Sequence, residues 1–190
     1  MEKQISRITE NVWKAKAGSN IYYIDLGKNK VIIDTGERSK SNILRQFLDK
    51  VVDFDKINIV IFTHLHYDHV GNFDLFPNAQ YYASKKEIED FHNMPENTVL
   101  ANDMAQKLSR INLHPAEYLN LEQLKIIQTP GHTRGSISIW YEPVLFTGDT
   151  LFGNGYGRSD LPTSSPSEFQ ETVIKLLEYN YKYLCPGHDY

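Results

Sequence analysis

Apolar residues in this chain fall into short blocks, and their spacing sets the first expectations. Residues 21–24 and 31–33 are β-branched or aromatic runs, and Gly27-Lys28-Asn29-Lys30 between them predicts a hairpin turn. From Lys40 to Val52 the period lengthens. Ile43, Phe47, Leu48 and Val51 recur on one face of a helix. Residues 57–62 predict a buried strand, entered past Asp53 and Asp55. A strand over 80–83 and a short helix over 85–92 follow. Strands are predicted again at 124–128, 137–141, 144–146 and 183–185. At Ser165 three signals agree on a helix start: Ser165 can cap, Pro166 suits the first position, and Glu168 completes a capping box. Phe169, Val173, Leu176 and Leu177 give that helix an apolar face. Residues 93–120 carry the weakest pattern, which fits a helix near 99–108 or a mobile lid. The pattern suggests two β-rich halves with flanking helices, packed as a four-layer αββα unit; composition and periodicity by themselves give only an α/β or α+β chain in one domain over 1–190.

Composition narrows the classes. With 190 residues, 41% hydrophobic and 23% charged, the chain is neither disordered nor fibrous. A formal net charge of -4 gives no bulk attraction for nucleic acid or for an anionic membrane, so neither is an expected partner. The single cysteine, Cys185, excludes an internal disulfide framework and a cysteine-only metal cluster, and it reads as a buried strand residue. No apolar run is long enough for a signal peptide or a membrane span, so a cytoplasmic protein acting on a small molecule is the expectation.

Five of the seven histidines sit in local motifs, and these motifs follow predicted strands. Thr63-His64-Leu65-His66-Tyr67-Asp68-His69 follows the run ending at Phe62. Pro130-Gly131-His132-Thr133, Gly148-Asp149-Thr150 and Pro186-Gly187-His188-Asp189 follow three others. Loops at strand ends are where a rigid scaffold converges side chains on one point. In an extended segment residues i and i+2 share a side, so His64 and His66 can grip one ion together. A turn past the strand can aim Asp68 and His69 at a second. Imidazole nitrogens and carboxylate oxygens suit Zn(II), and also Fe(II) or Mn(II). His92 and His114 belong to no motif and read as structural or exposed.

With Thr-His-x-His-x-Asp-His, then Gly-His, a lone Asp and a final Gly-His, the chain resembles the metallo-β-lactamase superfamily. Within it the order and the full ligand set look most like glyoxalase II and related short hydrolases, as does Gly157-Arg158-Ser159-Asp160-Leu161-Pro162. The resemblance implies two central mixed sheets flanked by helices, with metals at one edge of the sandwich. By position, His64, His66 and His132 would hold one ion, and Asp68, His69 and His188 a second. Asp149 would bridge them. Asp34, in Asp34-Thr35-Gly36, would support the site from behind its ligands. As residues alone, that triplet also reads as a turn with a helix cap.

Two divalent ions, Zn(II) foremost, would bring four positive charges, of which the catalytic carboxylates Asp68 and Asp149 remove two, so a bridging hydroxide is favoured as nucleophile near neutral pH. The expected function is a metal-dependent hydrolase of a thioester or related carboxylic ester, of the hydroxyacylglutathione hydrolase type. Alternatives are a lactonase, a persulfide dioxygenase with a single Fe(II) on His64, His132 and Asp149, and, last, a non-catalytic metal-binding module. No separate C-terminal helical domain like that of full-length glyoxalase II is expected after His188, so glutathione recognition is not an expectation the resemblance carries over. Candidate substrate-binding residues are Tyr67, Tyr156 and Arg158. Tyr67 and Arg158 carry structural alternatives, packing on the sheet and pairing with Asp160 respectively.

Overall fold

The computed structural model describes residues 5–51 and 53–189. Strands β1 (Ile5–Arg7), β2 (Val12–Ala17), β3 (Ser19–Leu26), β4 (Asn29–Ile33), β5 (Ile59–Ile61), β6 (Gln80–Ala83) and β7 (Leu113–Pro115) form one mixed sheet in that order. Neighbours from β1 to β4 are antiparallel and those from β4 to β7 parallel. The second half contributes β8 (Lys125–Gln128), β9 (Ile137–Tyr141) and β10 (Val144–Gly148). A small ribbon of β11 (Leu151–Phe152) and β12 (Gly155–Tyr156) precedes β13 (Tyr183–Pro186). The second sheet runs β13-β10-β9-β8, with only the β13–β10 pair parallel. The helices are α1 (Ser41–Val51), α2 (Tyr67–Val70), α3 (Lys85–Asn93), α4 (Pro95–Val99), α5 (Asn102–Leu108) and α6 (Pro166–Leu177).

Three apolar layers separate four structural ones. Ile21, Tyr23, Ile32 and Val60 face α1 and the α3–α5 group, where Leu44, Phe91, Met104 and Leu108 meet them. Their strand neighbours Tyr22, Ile24, Val31, Ile33, Ile59 and Ile61 point the other way, onto Ile137, Ile139, Val144, Phe146 and Cys185 of the second sheet. Leu145 and Ile127 face outward under Val173 and Leu176 of α6. Both faces of each central strand are therefore covered, so these strands read as unbroken apolar runs and not as alternating ones. Each fully buried Ile or Phe contributes roughly 1.5–3 kcal/mol.

Register places the site. Gln128 pairs with Ile137, so the end of β8 lies beside the start of β9. Phe146 pairs with both Ile139 and Cys185, so β10 and β13 end at that same edge. Backbone bonds then join the sheets there: Ile137 N–H to Thr63 O at 2.9 Å and Asn20 N–H to Gly187 O at 2.6 Å.

Several expectations change. Of the two readings of residues 93–120 the structure matches the helix and not the lid: α5 covers Asn102–Leu108, with α4 and β7 on either side, and Val99, Met104, Ala105 and Leu108 sit in the core. Ser165 does not cap the backbone of α6. Its hydroxyl donates to the Glu168 carboxylate, and Glu168 N–H bonds the Ser165 carbonyl at 3.2 Å. Leu177 is exposed, because the buried stripe of α6 runs through Val173 and Leu176. Leu44, absent from the expected apolar face of α1, is fully buried. Val52 and the side chains of Phe47 and Leu48 lie outside the described residues. Strands β1, β2 and β7, helix α2 and the β11–β12 ribbon were not expected.

Candidate metal centre

The chain leaves β5 through Phe62, buried against the helices, and enters Thr63-His64-Leu65-His66. Leu65 packs in the helix-side core, so the flanking His64 and His66 face away from it. The loop after β8 brings His132 to them. It passes through Gly131, where a Cβ would stand 2.0 Å from the Phe169 ring. The rings of His64, His66 and His132 stand 4.5–4.7 Å apart and nearly perpendicular to one another. His66 Nδ1 and His132 Nε2 are 3.0 Å apart.

Helix α2 starts at once after His66 and turns Asp68 and His69 toward the end of β13. His188 Nε2 lies 3.2 Å from Asp68 Oδ2, and His69 Nε2 lies 3.9 Å from the same oxygen. Asp149 stands between the two groups. Its Oδ1 is 3.3 Å from His69 Nε2, and its Oδ2 is 3.7 Å from His132 Nε2 and 3.5 Å from His188 Nε2. Three sets of possible ligand atoms therefore converge, each within 4.8 Å: His64, His66 and His132; His64, His69 and Asp149; Asp68, His69 and His188.

The donor chemistry fits a divalent cation. His64 Nε2, His66 Nε2, His69 Nε2 and Asp149 Oδ1 are buried and have no hydrogen-bond partner among the described residues. An unmet buried polar atom costs about 1–3 kcal/mol, so four of them around one space argue for a ligand there. Burial, reinforced by the neighbouring imidazoles, pushes the pKa of His64 well down and that of His66 to about 3. Burial lowers His132 too. These rings are neutral at pH 7, the form that binds metal. Burial opposes charge on His69 as well, but Asp149, Asp34 and Asp68 outweigh it and raise its pKa well above 6.5. Asp68 and Asp149 follow the same logic: burial resists ionisation, and the facing histidines, His69 first, still hold both pKa values low.

A further ring of contacts fixes these side chains. Asp34 is buried at a positive φ of 58°. Its Oδ1 accepts Thr63 N–H at 2.8 Å, and its Oδ2 accepts the Thr63 hydroxyl and faces His69 Nδ1, both at 2.8 Å. Of the two readings of Asp34-Thr35-Gly36, the support of the site is the one this geometry matches. His132 Nδ1 faces the carbonyl of Arg158 at 2.7 Å. At Gly157 a Cβ would sit 1.7 Å from the Asp149 carbonyl oxygen, so only glycine lets that loop close over the site. Ser19 donates to the Asp68 carbonyl at 2.8 Å. Asn20 and the ammonium groups of Lys14 and Lys16 grip Asp189, beside His188. Sequence reasoning missed Ser19, Asn20, Lys14, Lys16 and Asp189, and it read nothing into Glu87, a buried carboxylate of α3.

The other expected residues are placed as follows. Tyr67 opens α2 and is 42% exposed, and Tyr156 on β12 is 63% exposed with its ring edge-on to Phe169. The Arg158 guanidinium makes a bidentate pair with Asp160 at 2.9 and 3.0 Å, with both side chains 70% exposed. Cys185 lies in the layer between the sheets. His92 is exposed, and His114 packs on Tyr82.

Fold and site together define a class. The profile of the metallo-beta-lactamase superfamily matches residues 16–188, and the chain belongs to that superfamily. Among its relatives is a "probable metallo-hydrolase" of Methanocaldococcus jannaschii, 38% identical over 181 residues, covering 90% of this chain and 87% of the relative. A hydroxyacylglutathione hydrolase of Pectobacterium atrosepticum is 29% identical over 88% of this chain, which spans 62% of that enzyme's length. A metallo-beta-lactamase family protein from Thermus thermophilus superposes with a TM-score of 0.76 at 18% identity, covering 96% of this chain and 74% of that one. That likeness is one of fold.

Proposed function

We propose that this chain is a hydrolase holding two divalent ions, Zn(II) foremost, that cleaves a thioester or related carboxylic ester in a small molecule. The observation that carries the proposal is the pair of three-residue groups with Asp149 between them, lined by four buried atoms that have no hydrogen-bond partner among the described residues. The relatives named as a metallo-hydrolase and a hydroxyacylglutathione hydrolase support the same reading.

In this proposal His64, His66 and His132 hold one ion, Asp68, His69 and His188 the other, and Asp149 reaches both. Bound there, such ions supply an ionised water at neutral pH and Lewis-acid polarisation of a carbonyl. The protein's part is orientation. Asp34 accepts the Nδ1 proton of His69 and leaves Nε2 to face the site, and the Arg158 carbonyl does the same for His132. Tyr67, Tyr156 and Arg158, exposed beside the site, are the proposed substrate contacts. The acid group of an acidic substrate would meet the Arg158 guanidinium in competition with Asp160.

The test is metal analysis of protein purified without added metal, with substrate profiling on the same sample. Two zincs per chain and chelator-sensitive hydrolysis of acyl thioesters are expected. One iron per chain, with oxygen consumed on glutathione persulfide, would replace the proposal with a dioxygenase. Hydrolysis confined to lactones would retain the metal site and overturn the substrate class.

A further inference from the structure

Glu87 sits in the first turn of α3, outside the seven histidines and aspartates of the site, and it is completely buried. Its two carboxylate oxygens reach the two loops that supply the three-histidine group. Oε1 accepts the backbone N–H of Leu65, between His64 and His66, at 3.0 Å. Oε2 accepts the hydroxyl of Thr133, next to His132, at 2.7 Å. At Gly135 a Cβ would come within 2.5 Å of Oε2, so the turn after His132 closes on the carboxylate only because residue 135 has no side chain.

The surroundings repeat the arrangement. Ser84 caps α3 by accepting Glu87 N–H at 3.0 Å, and its hydroxyl donates to the Gly135 carbonyl. One turn further on, Asp90 takes the Arg134 guanidinium in a bidentate pair, both bonds at 3.0 Å. One helix end therefore grips the loop after β8 at three points and the loop after β5 at one. A carboxylate buried this deeply is a poor packing choice. Burial pushes its pKa up to about 7, and an apolar side chain would fill the space at lower cost. Its contacts are all with donors on the two ligand loops.

We infer that Glu87 is a positioning residue of the metal centre: its carboxylate ties the His64–His66 loop to the His132 loop and sets the spacing of the three imidazoles. The inference rests on the proposed metal role of those histidines.

Glu87→Gln tests it, because the amide keeps the volume but offers one acceptor oxygen where the carboxylate offers two. Metal-free protein would be titrated with cobalt(II), reading the visible absorption of the bound ion and its dissociation constant by chelator competition. Leu108→Ala is the reference for lost stability alone, since Leu108 is core to the same helical layer and touches neither loop through a hydrogen bond. Glu87→Gln should weaken cobalt binding about ten-fold or more and shift the absorption, while Leu108→Ala should leave both near wild type. Wild-type affinity and spectrum in Glu87→Gln would overturn the inference, as would an equal change in Leu108→Ala. Should Glu87→Gln not fold, Thr133→Val removes the Oε2 partner, together with the Thr133–Ser136 hydroxyl contact at 2.9 Å, and an unchanged spectrum there overturns it equally. A wild-type chain that binds no cobalt would reject the metal reading itself, a result separate from wild-type binding that Glu87→Gln leaves untouched.

Discussion

The two ring nitrogens of His69 keep different company. Nδ1 lies 2.8 Å from Asp34, while Nε2 points between Asp149 at 3.3 Å and Asp68 at 3.9 Å. Without metal these carboxylates outweigh burial and raise the ring's pKa well above 6.5, favouring the form that carries a proton on Nε2, whereas burial lowers the pKa values of His64 and His66. A cation approaching Nε2 must displace that proton. Zinc uptake by metal-free protein at pH 6, below the ionisation of metal-bound water at about 7, should therefore release at least one proton per chain. Calorimetry in two buffers of different ionisation enthalpy measures it, and uptake with no proton released would contradict this assignment. The candidate ligands were readable because each stands in a short motif just past an apolar run. Glu87 and Asp189 were not, because their partners are distant in the chain: Glu87 meets residues 22 and 46 positions away, and Asp189 meets Lys14 across 175. No local pattern encodes such a contact.

At the scale of elements, the loop from β12 through Arg158 does two things at once. Its backbone carbonyl at Arg158 orients His132, and its guanidinium stands in solvent against Asp160. If the guanidinium receives an acidic substrate tail, Arg158→Ala should raise KM for acidic thioesters roughly ten-fold or more and leave neutral esters nearly unchanged. Asp160→Ala, which removes the competing carboxylate, should bind acidic substrates at least as well as wild type. Equal losses on charged and neutral substrates in both variants would assign the pair to bracing the loop. The same scale shows what the pattern of the chain could carry. Strands β5, β10 and β13 were legible because both their faces are covered. Strand β2 was not, since Lys14 and Lys16 interrupt Val12, Ala15 and Ala17. Helix α2 and the β11–β12 ribbon, at 4, 2 and 2 residues, are too short to show any period. In residues 93–120 the few apolar anchors are spread over three short elements.

For the whole molecule, the site belongs to the seam of the sandwich. The first sheet's side delivers His64, His66, Asp68 and His69, and the second delivers His132, Asp149 and His188. Patterning along the chain was enough for two β-rich halves with helices outside. It holds no information on how the halves face each other, so the convergence of the four loops followed from the resemblance and from the observed register. Ions held across that seam would also stabilise the fold by linkage, since they bind only the assembled sandwich. Asp149 is the carboxylate that stands against histidines of both three-residue groups among the described residues. The most direct measurement is therefore the metal content per chain of wild type and Asp149→Ala, purified side by side, with thioester hydrolysis on both. Two ions in the wild type are expected, with depletion at both positions and loss of hydrolysis in the variant. A wild type that saturates at one ion, or an Asp149→Ala chain that keeps two ions and its activity, would contradict the bridged pair.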